Sequence, residues 1–222
     1  MTKINIGCGQ TPTAGWKNYD NSLSIRLAKH GWLVSVLETL GVIAEQQRQF
    51  ISYVRESDIG FADATRRIPE PSDSVEAIYT SHMVEHLDLA EVKNFLGEAI
   101  RVLAPGGNIR IAVPDISVHI GEYLETKDAN LFIETTRMTC AKPKSLIEKL
   151  KFVMVGPRHH HWMYDGSSLS TLLSDVGFVN AQVVAAGETT LPNPGSLDLN
   201  ERARESVYVE ASKPVVSQAK AA

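Results

Sequence analysis

Two stretches of the chain concentrate groups able to do chemistry, and a third set of residues is spaced to hold a ligand. Ser81-His82-Met83-Val84-Glu85-His86 places a hydroxyl, two imidazoles and a carboxylate in one short run. Histidine changes charge near neutral pH, so His82 and His86 are candidate general bases. If a helical turn starts here, they share one face at i,i+4 spacing. Glu85 is placed to orient either ring or to receive an ammonium group. The second stretch is Arg158-His159-His160-His161-Trp162-Met163-Tyr164. Adjacent histidines point to different sides of an extended chain, so no metal site is expected here, even with His119 as a further ligand. The stretch reads instead as substrate-facing. His161 and Tyr164 supply hydrogen-bond partners, Trp162 a stacking face for a sugar ring or other flat group, and Arg158 a partner for phosphate or carboxylate. A structural hinge docking this segment to the rest of the fold is the alternative.

The ligand-holding set lies at the ends of three apolar runs. Ile6-Gly7-Cys8-Gly9-Gln10 closes the first, where glycines let backbone approach a ligand closely because no Cβ stands in the way. Asp20 closes the second, where a carboxylate accepts both hydroxyls of a ribose. Asp63, followed by Ala64, closes the third, where it accepts from an exocyclic amine such as adenine N6. Singly, each acid is an ordinary turn former; in this order they read as backbone cradle, diol acceptor and base reader.

These residues need strands ending along one edge, and the hydrophobic pattern supplies them. Short β runs cover 3–6, 16–20, 59–62, 75–80 and 108–113. Between them, 23–57 follows the helical period with a break near Gly31 or Gly41, and 89–103 is an amphipathic helix carrying Val92, Phe95, Leu96, Ala99, Ile100 and Leu103 on one stripe. Asp88 is its N-cap and Pro105-Gly106-Gly107 its stop. Strand, connection and strand in this order imply a parallel, doubly wound sheet whose functional edge is at the strands' carboxyl ends. The rhythm breaks at 116–163, which reads as an inserted helical lid over that edge. A helix over 165–176 and two last β runs at 178–186 and 206–211 follow. The short loop between those runs suits an antiparallel pairing. The whole reads as one domain over 1–213 with a frayed tail at 214–222.

Composition bounds the rest. The chain has 222 residues, 43% hydrophobic and 22% charged, with a formal net charge of −4. That is a globular balance, without the basic surplus of a nucleic-acid binder. No apolar run approaches the roughly 20 residues that span a bilayer, and no signal-peptide pattern opens the chain. Cys8 and Cys140 are far apart and form no framework, which favours a reducing cytoplasm.

Taken together, I-N-I-G-C-G at 4–9, Asp20, A-D-A at 62–64, I-Y-T-S-H-M-V-E-H-L at 78–87, V-L-A-P-G-G at 102–107 and D-V-G-F at 175–178 resemble the class I S-adenosylmethionine-dependent methyltransferases. The likeness runs from about Lys3 to Lys213. G-W-K-N-Y-D at 15–20, H-W-M-Y-D at 161–165 and R-E-S-V-Y-V-E-A-S-K at 204–213 are most similar to small methyltransferases of bacterial cell-surface polysaccharide synthesis. The resemblance implies a Rossmann-like, seven-stranded, mostly parallel sheet with an antiparallel last strand. It implies that Gly7 and Gly9 line the methionine part of S-adenosylmethionine, Asp20 holds the ribose, Asp63 with the Ala64 amide reads adenine, and Ser81 and His82 border the sulfonium. Three features depart from the family pattern: Asn5 replaces the usual acid, Thr11 the usual third glycine, and only ten residues lie between Gly9 and Asp20. They also weigh against a nicotinamide cofactor, which needs G-x-G-x-x-G opening a full helix.

The expectation is therefore methyl transfer to a small molecule, with a hydroxyl of a sugar or glycan precursor as acceptor. Other small-molecule acceptors and a non-catalytic cofactor-binding module are the alternatives. No nucleic-acid partner is expected, and a homodimer is one assembly left open.

Overall fold

A computed structural model describes every residue except 29, 42, 44, 140–144, 146–148, 150–158 and 216–222. Seven strands form one sheet: β1 (Thr2–Ile6), β2 (Lys17–Asp20), β3 (Ile59–Phe61), β4 (Val75–Ser81), β5 (Leu103–Pro114), β6 (Val179–Val184) and β7 (Ser206–Ser212), in the order β3-β2-β1-β4-β5-β7-β6. The first five pair parallel, and β7 runs antiparallel between β5 and β6. This is the doubly wound, Rossmann-like arrangement the strand and helix alternation predicts.

The helices are α1 (Leu23–Ala28), α2 (Gly31–Thr39), α3 (Glu45–Glu56), α4 (Leu89–Val102), α5 (Ile116–Thr126), α6 (Ala129–Thr136) and α7 (Gly166–Val176). The expected break near Gly31 or Gly41 falls at both. Asp88 caps α4 as its sequence predicts: its Oδ1 accepts from the Ala90 and Glu91 amides, both at 2.8 Å, while Glu91 accepts from the Asp88 amide at 3.0 Å. The helix stops at Val102 rather than at the Pro105-Gly106-Gly107 run. That run lies inside β5, which begins at Leu103. α5 and α6 fill the first part of the segment expected as a lid. The rest of that segment from 140 to 158 lies almost wholly outside the described residues, as do Arg158 and most of the expected tail.

Strand residues alternate between two cores, as a period of two demands. Ile78, Ile109, Ile111, Val113, Val207 and Val209 pack with the α4 stripe and with Leu169 and Leu173 of α7. Ala77, Tyr79, Ala112 and Tyr208 face the other way, and among the described residues their partners are Trp16, Leu191 and Leu197 rather than a helix. The short connection from β1 to β2 leaves that face bare, and the loop at 185–205 fills the space.

A buried ion pair fastens that loop. Arg110 and Glu210 are directly opposite in the β5–β7 ladder, with Nη1 to Oε1 at 2.5 Å. Arg110 also donates to the carbonyls of Glu188 and Leu199 at 2.8 and 3.1 Å. Glu210 accepts from the hydroxyls of Thr189 and Thr190 and from the Thr190 amide. Burial pushes the Glu210 carboxyl up, but the Thr189, Thr190 and Arg110 donors outweigh it and hold it below its ordinary 4.5. A carboxyl depressed on folding stabilises above its unfolded value and loses that stabilisation as pH falls through the folded one.

Replacing Glu210 by Gln is expected to lower unfolding free energy by about 3–5 kcal/mol, because Arg110 keeps a buried, uncompensated charge. Urea titrations should show this. On acidification below the ordinary carboxylate value of 4.5, wild type should lose stability more steeply than Glu210→Gln.

Candidate active site

Strand order reverses between β1 and β4. Connections leaving the carboxyl ends of these neighbours diverge, and a crevice opens where they part. A cavity of about 490 Å³ occupies that place, lined by Ile6, Gly7, Asp20, Asn21, Ala62, Ala64, Thr65, His82, Met83, His86, Leu87, Asp88, Glu91 and His161. Its size is that of a small-molecule or cofactor site.

Gly7 forms the floor. Its φ of +71° is a left-handed value, and a Cβ there would stand 2.7 Å from Met83 Cγ. Both conditions demand glycine. Gly9 is also left-handed, at +51°, and its amide donates to Asp20 Oδ2 at 3.0 Å. Asp20 Oδ1 accepts from the Ser22 amide at 2.8 Å. A carboxylate offers about four lone-pair sites, so Asp20 is held in place by two amides with acceptor capacity left for a ligand. Asn5, fully buried, donates to Thr11 O and Thr13 Oγ1, both at 3.1 Å, and shapes the loop after β1.

Several expected wall residues are elsewhere. Cys8 packs in a small core with Ile25, Val54 and Ile59, where burial pushes its thiol up to about 12. Gln10, Gly9 and Ser81 are not on the cavity wall. Asp63 turns back on its own loop: Oδ1 accepts from Thr65 Oγ1 at 2.6 Å and the Thr65 amide at 3.2 Å, and Oδ2 lies 3.3 Å from Arg66 Nε. The wall there is made by Ala62, Ala64 and Thr65. A carboxylate two residues before a hydroxyl and an amide closes a local turn, and here that local claim prevails.

His82 and His86 do not share a helical face. His82 takes a φ of +50°, and a single 3-10 turn, Val84–His86, follows. That kink brings both rings to the same wall. His82 Nε2 lies 2.7 Å from Ser206 Oγ, while Nδ1 stands 3.3 Å from Glu85 Oε1 without forming a hydrogen bond to it. His86 Nδ1 lies 3.0 Å from the His159 carbonyl oxygen. Glu85 is fully buried beneath the wall rather than on it.

The segment from 159 onward closes over this turn. The amides of His161 and Trp162 donate to the Glu85 carbonyl at 2.8 and 3.2 Å, and the His160 amide donates to Arg137 O at 2.9 Å. His161 reaches the cavity wall and stacks on His159 at 4.4 Å. Trp162 is 47% exposed. Tyr164, expected to face a substrate, is buried in the main core. Burial, with Glu85 adding to it, pushes its hydroxyl up to about 12. His160 is also buried. Burial lowers its imidazole to about 4, against the opposing pull of Glu85.

Three participants escaped the sequence reading. Met83 is the steric complement of Gly7, and Ser206 reaches His82 from 124 residues away. His160 turns inward from the histidine run, where alternation alone assigned it no role.

A family model for a methyltransferase domain matches residues 23–183. No curated protein matches the chain. Among solved structures, an S-adenosylmethionine-dependent methyltransferase from Methanosarcina mazei superposes with a TM-score of 0.53 at 14% identity, over 96% of this chain and 92% of that one. One from Thermotoga maritima superposes with a TM-score of 0.52 at 15% identity, over 96% of this chain and 82% of that one. At such identity the likeness is one of fold.

Gly7→Ala is expected to cost about 1–3 kcal/mol in unfolding free energy through overpacking against Met83, besides its backbone strain. Gly9→Ala, with nothing within 4 Å of the added Cβ, should cost only the left-handed strain of about 1–2 kcal/mol. Parallel denaturant titrations compare the two.

Proposed function

The chain belongs to the methyltransferase-domain family, and from that membership we propose that it transfers a methyl group from S-adenosylmethionine to a small-molecule hydroxyl. A sugar or glycan precursor is the acceptor favoured by the sequence resemblance at 15–20, 161–165 and 204–213. One observation carries the reading: the crevice at the β1–β4 reversal joins a Cβ-free peptide at Gly7 to the amide-held carboxylate of Asp20.

The residues present fit the cofactor. Gly7 leaves room for the methionine part, Asp20 retains acceptor capacity for two ribose hydroxyls, and Ala62 and Ala64 offer an apolar wall for a flat base. Neither Asn5 nor Glu85 reaches the cavity as an ammonium partner; the acids on its wall are Asp20, Asp88 and Glu91. When bound, S-adenosylmethionine supplies a sulfonium methyl that is already electrophilic.

The chain must align the acceptor, exclude water and take a proton. His82 is the proposed proton acceptor. The end of β4 is the proposed border of the reacting centre, and Glu85 Oε1 lies 3.3 Å from Nδ1. Ser206, at Nε2, fixes the ring and offers a hydroxyl route for the proton. His86 completes the wall beside it. His161 and the exposed face of Trp162 are proposed acceptor contacts, the latter as a stacking surface. The segment around 116–163 is proposed as the cap over the acceptor, and Arg158, in its undescribed part, as an anion partner. No helix among the described residues is long and apolar enough to cross a membrane. A cytoplasmic location is part of the proposal, resting on cysteine usage.

Calorimetry with S-adenosylhomocysteine tests the cofactor. Wild type should bind, and Asp20→Ala should bind at least about tenfold more weakly, since hydrogen bonds to a charged group contribute about 1.5–3 kcal/mol each. Absence of binding by the folded wild type at high micromolar ligand would return the chain to a non-catalytic module. For the proton acceptor, His82→Asn keeps a residue that tolerates left-handed backbone. It should lower kcat by about 10²–10⁴ while leaving S-adenosylhomocysteine affinity within a few-fold. An unchanged kcat would remove His82 from the chemistry.

A further inference from the structure

Glu85 lies wholly inside the protein, yet among the described residues neither of its carboxylate oxygens has a hydrogen-bond partner. A buried anion left so exposed to its own desolvation needs a proton or a cation. Imidazole nitrogens surround it: His82 Nδ1 stands 3.3 Å from Oε1, outside hydrogen-bond geometry. His160 Nε2 lies 4.0 Å from Glu85 Oε1, and His160 Nδ1 has no partner among the described residues. His86 faces His160 edge-on, with ring centroids 5.0 Å apart. One ligand atom from each of Glu85, His86 and His160 lies within 4.8 Å of the other two.

The outer contacts are those of a ligand set. His86 Nδ1 meets the His159 carbonyl at 3.0 Å. A carbonyl only accepts, so Nδ1 carries the hydrogen and Nε2 keeps its lone pair. This is how metal-binding histidines are fixed in tautomer and orientation. Glu85 is pinned through its own carbonyl by the His161 and Trp162 amides. These same bonds bring His160 over the turn. Residues 85 and 86 thus meet residue 160 by docking of a distant segment, which sidesteps the objection that adjacent histidines rarely share an ion.

We propose that Glu85, His86 and His160 bind one divalent transition-metal cation, of the zinc, cobalt or manganese class. Two imidazoles and a carboxylate suit these ions better than magnesium or calcium, which prefer all-oxygen sets. Three protein ligands leave a coordination position open. His86 also lines the crevice, which offers the ion an entry path. A hydroxyl bound by such an ion would become more acidic through the metal's charge. Use of the ion to hold the acceptor oxygen rests on the methyl-transfer reading; binding of the ion does not.

The test uses the full chain, freed of any histidine tag and stripped with chelator, then titrated with Co²⁺ and Zn²⁺. Calorimetry should give one site, and Co²⁺ should develop the visible absorption of a nitrogen-and-oxygen-ligated ion. His160→Ala and Glu85→Gln should each weaken binding at least about tenfold, the scale on which even outer-shell losses act. The exposed His30→Ala should bind as wild type does. Zn²⁺ should raise the thermal midpoint of wild type and not that of His160→Ala, so the test stands even if Glu85→Gln does not fold. No binding of Co²⁺, Zn²⁺ or Mn²⁺ by wild type at about 100 µM, weaker than any functional site of this kind requires, would overturn the proposal. So would undiminished binding in His160→Ala. S-adenosylhomocysteine calorimetry on the same samples separates the two readings. Cofactor binding without metal binding removes only the ion, and the reverse removes only the methyl transfer.

Discussion

The reversal of strand order between β1 and β4 is the constraint on which the rest of the structure depends. Two parallel neighbours whose connections leave in opposite directions must open a gap at their carboxyl ends. The residues proposed to hold the cofactor gather around that gap. Gly7 stands at the end of β1, Asp20 at the end of β2, Ala62 and Ala64 beyond β3, and His82 beyond β4. The parallel register, with Ile6 opposite both Tyr19 and Thr80, brings these ends level. Meeting at a gap built by topology, these side chains need no strain of the sheet itself. Around the gap, left-handed backbone at Gly7, Gly9 and His82 turns the chain out of its strands, and of the three only His82 carries a Cβ that makes this conformation costly.

An unusual distribution of cover follows from the short β1–β2 connection. Without a helix there, the face carrying Ala77, Tyr79, Ala112 and Tyr208 needs another lid, and the β6–β7 loop provides it. A loop has no internal ladder to satisfy its peptide groups, so they must find partners in the sheet. Arg110 and Glu210 supply donors and acceptors at one cross-strand pair, stacked against Tyr208 with Arg110 Cζ 4.6 Å from the ring. The pair is costly to bury but meets many of the loop's needs at once. The same loop ends at Ser206, which props His82. Closure of the bare face and positioning of the wall histidine are therefore linked.

Much of this was legible along the chain. Glycines, strand-end acids and caps act locally. Asp88 before Glu91 writes a capping box, and Asp165 with Gly177 brackets α7 as the period requires. Asp20 lies on the cavity wall because its strand end leads to an open edge. Asp63 does not, though its position is equivalent, because Thr65 offers it a nearer donor. Tyr164 shows the same limit from another direction. It closes a histidine-rich run, but a parallel bridge to Asp115 pulls it into the core.

The sequence by itself determined the period of each element, the turns between them and hence the order of strand ends, because side-chain spacing and turn chemistry operate over a few residues. Tertiary structure alone decided which distant groups meet: Ser206 with His82, His160 with Glu85, and the 185–205 loop with the uncovered face. Where a long connection returns depends on which surfaces remain unburied once the sheet has formed. That is a property of the assembled layers and not of any single segment.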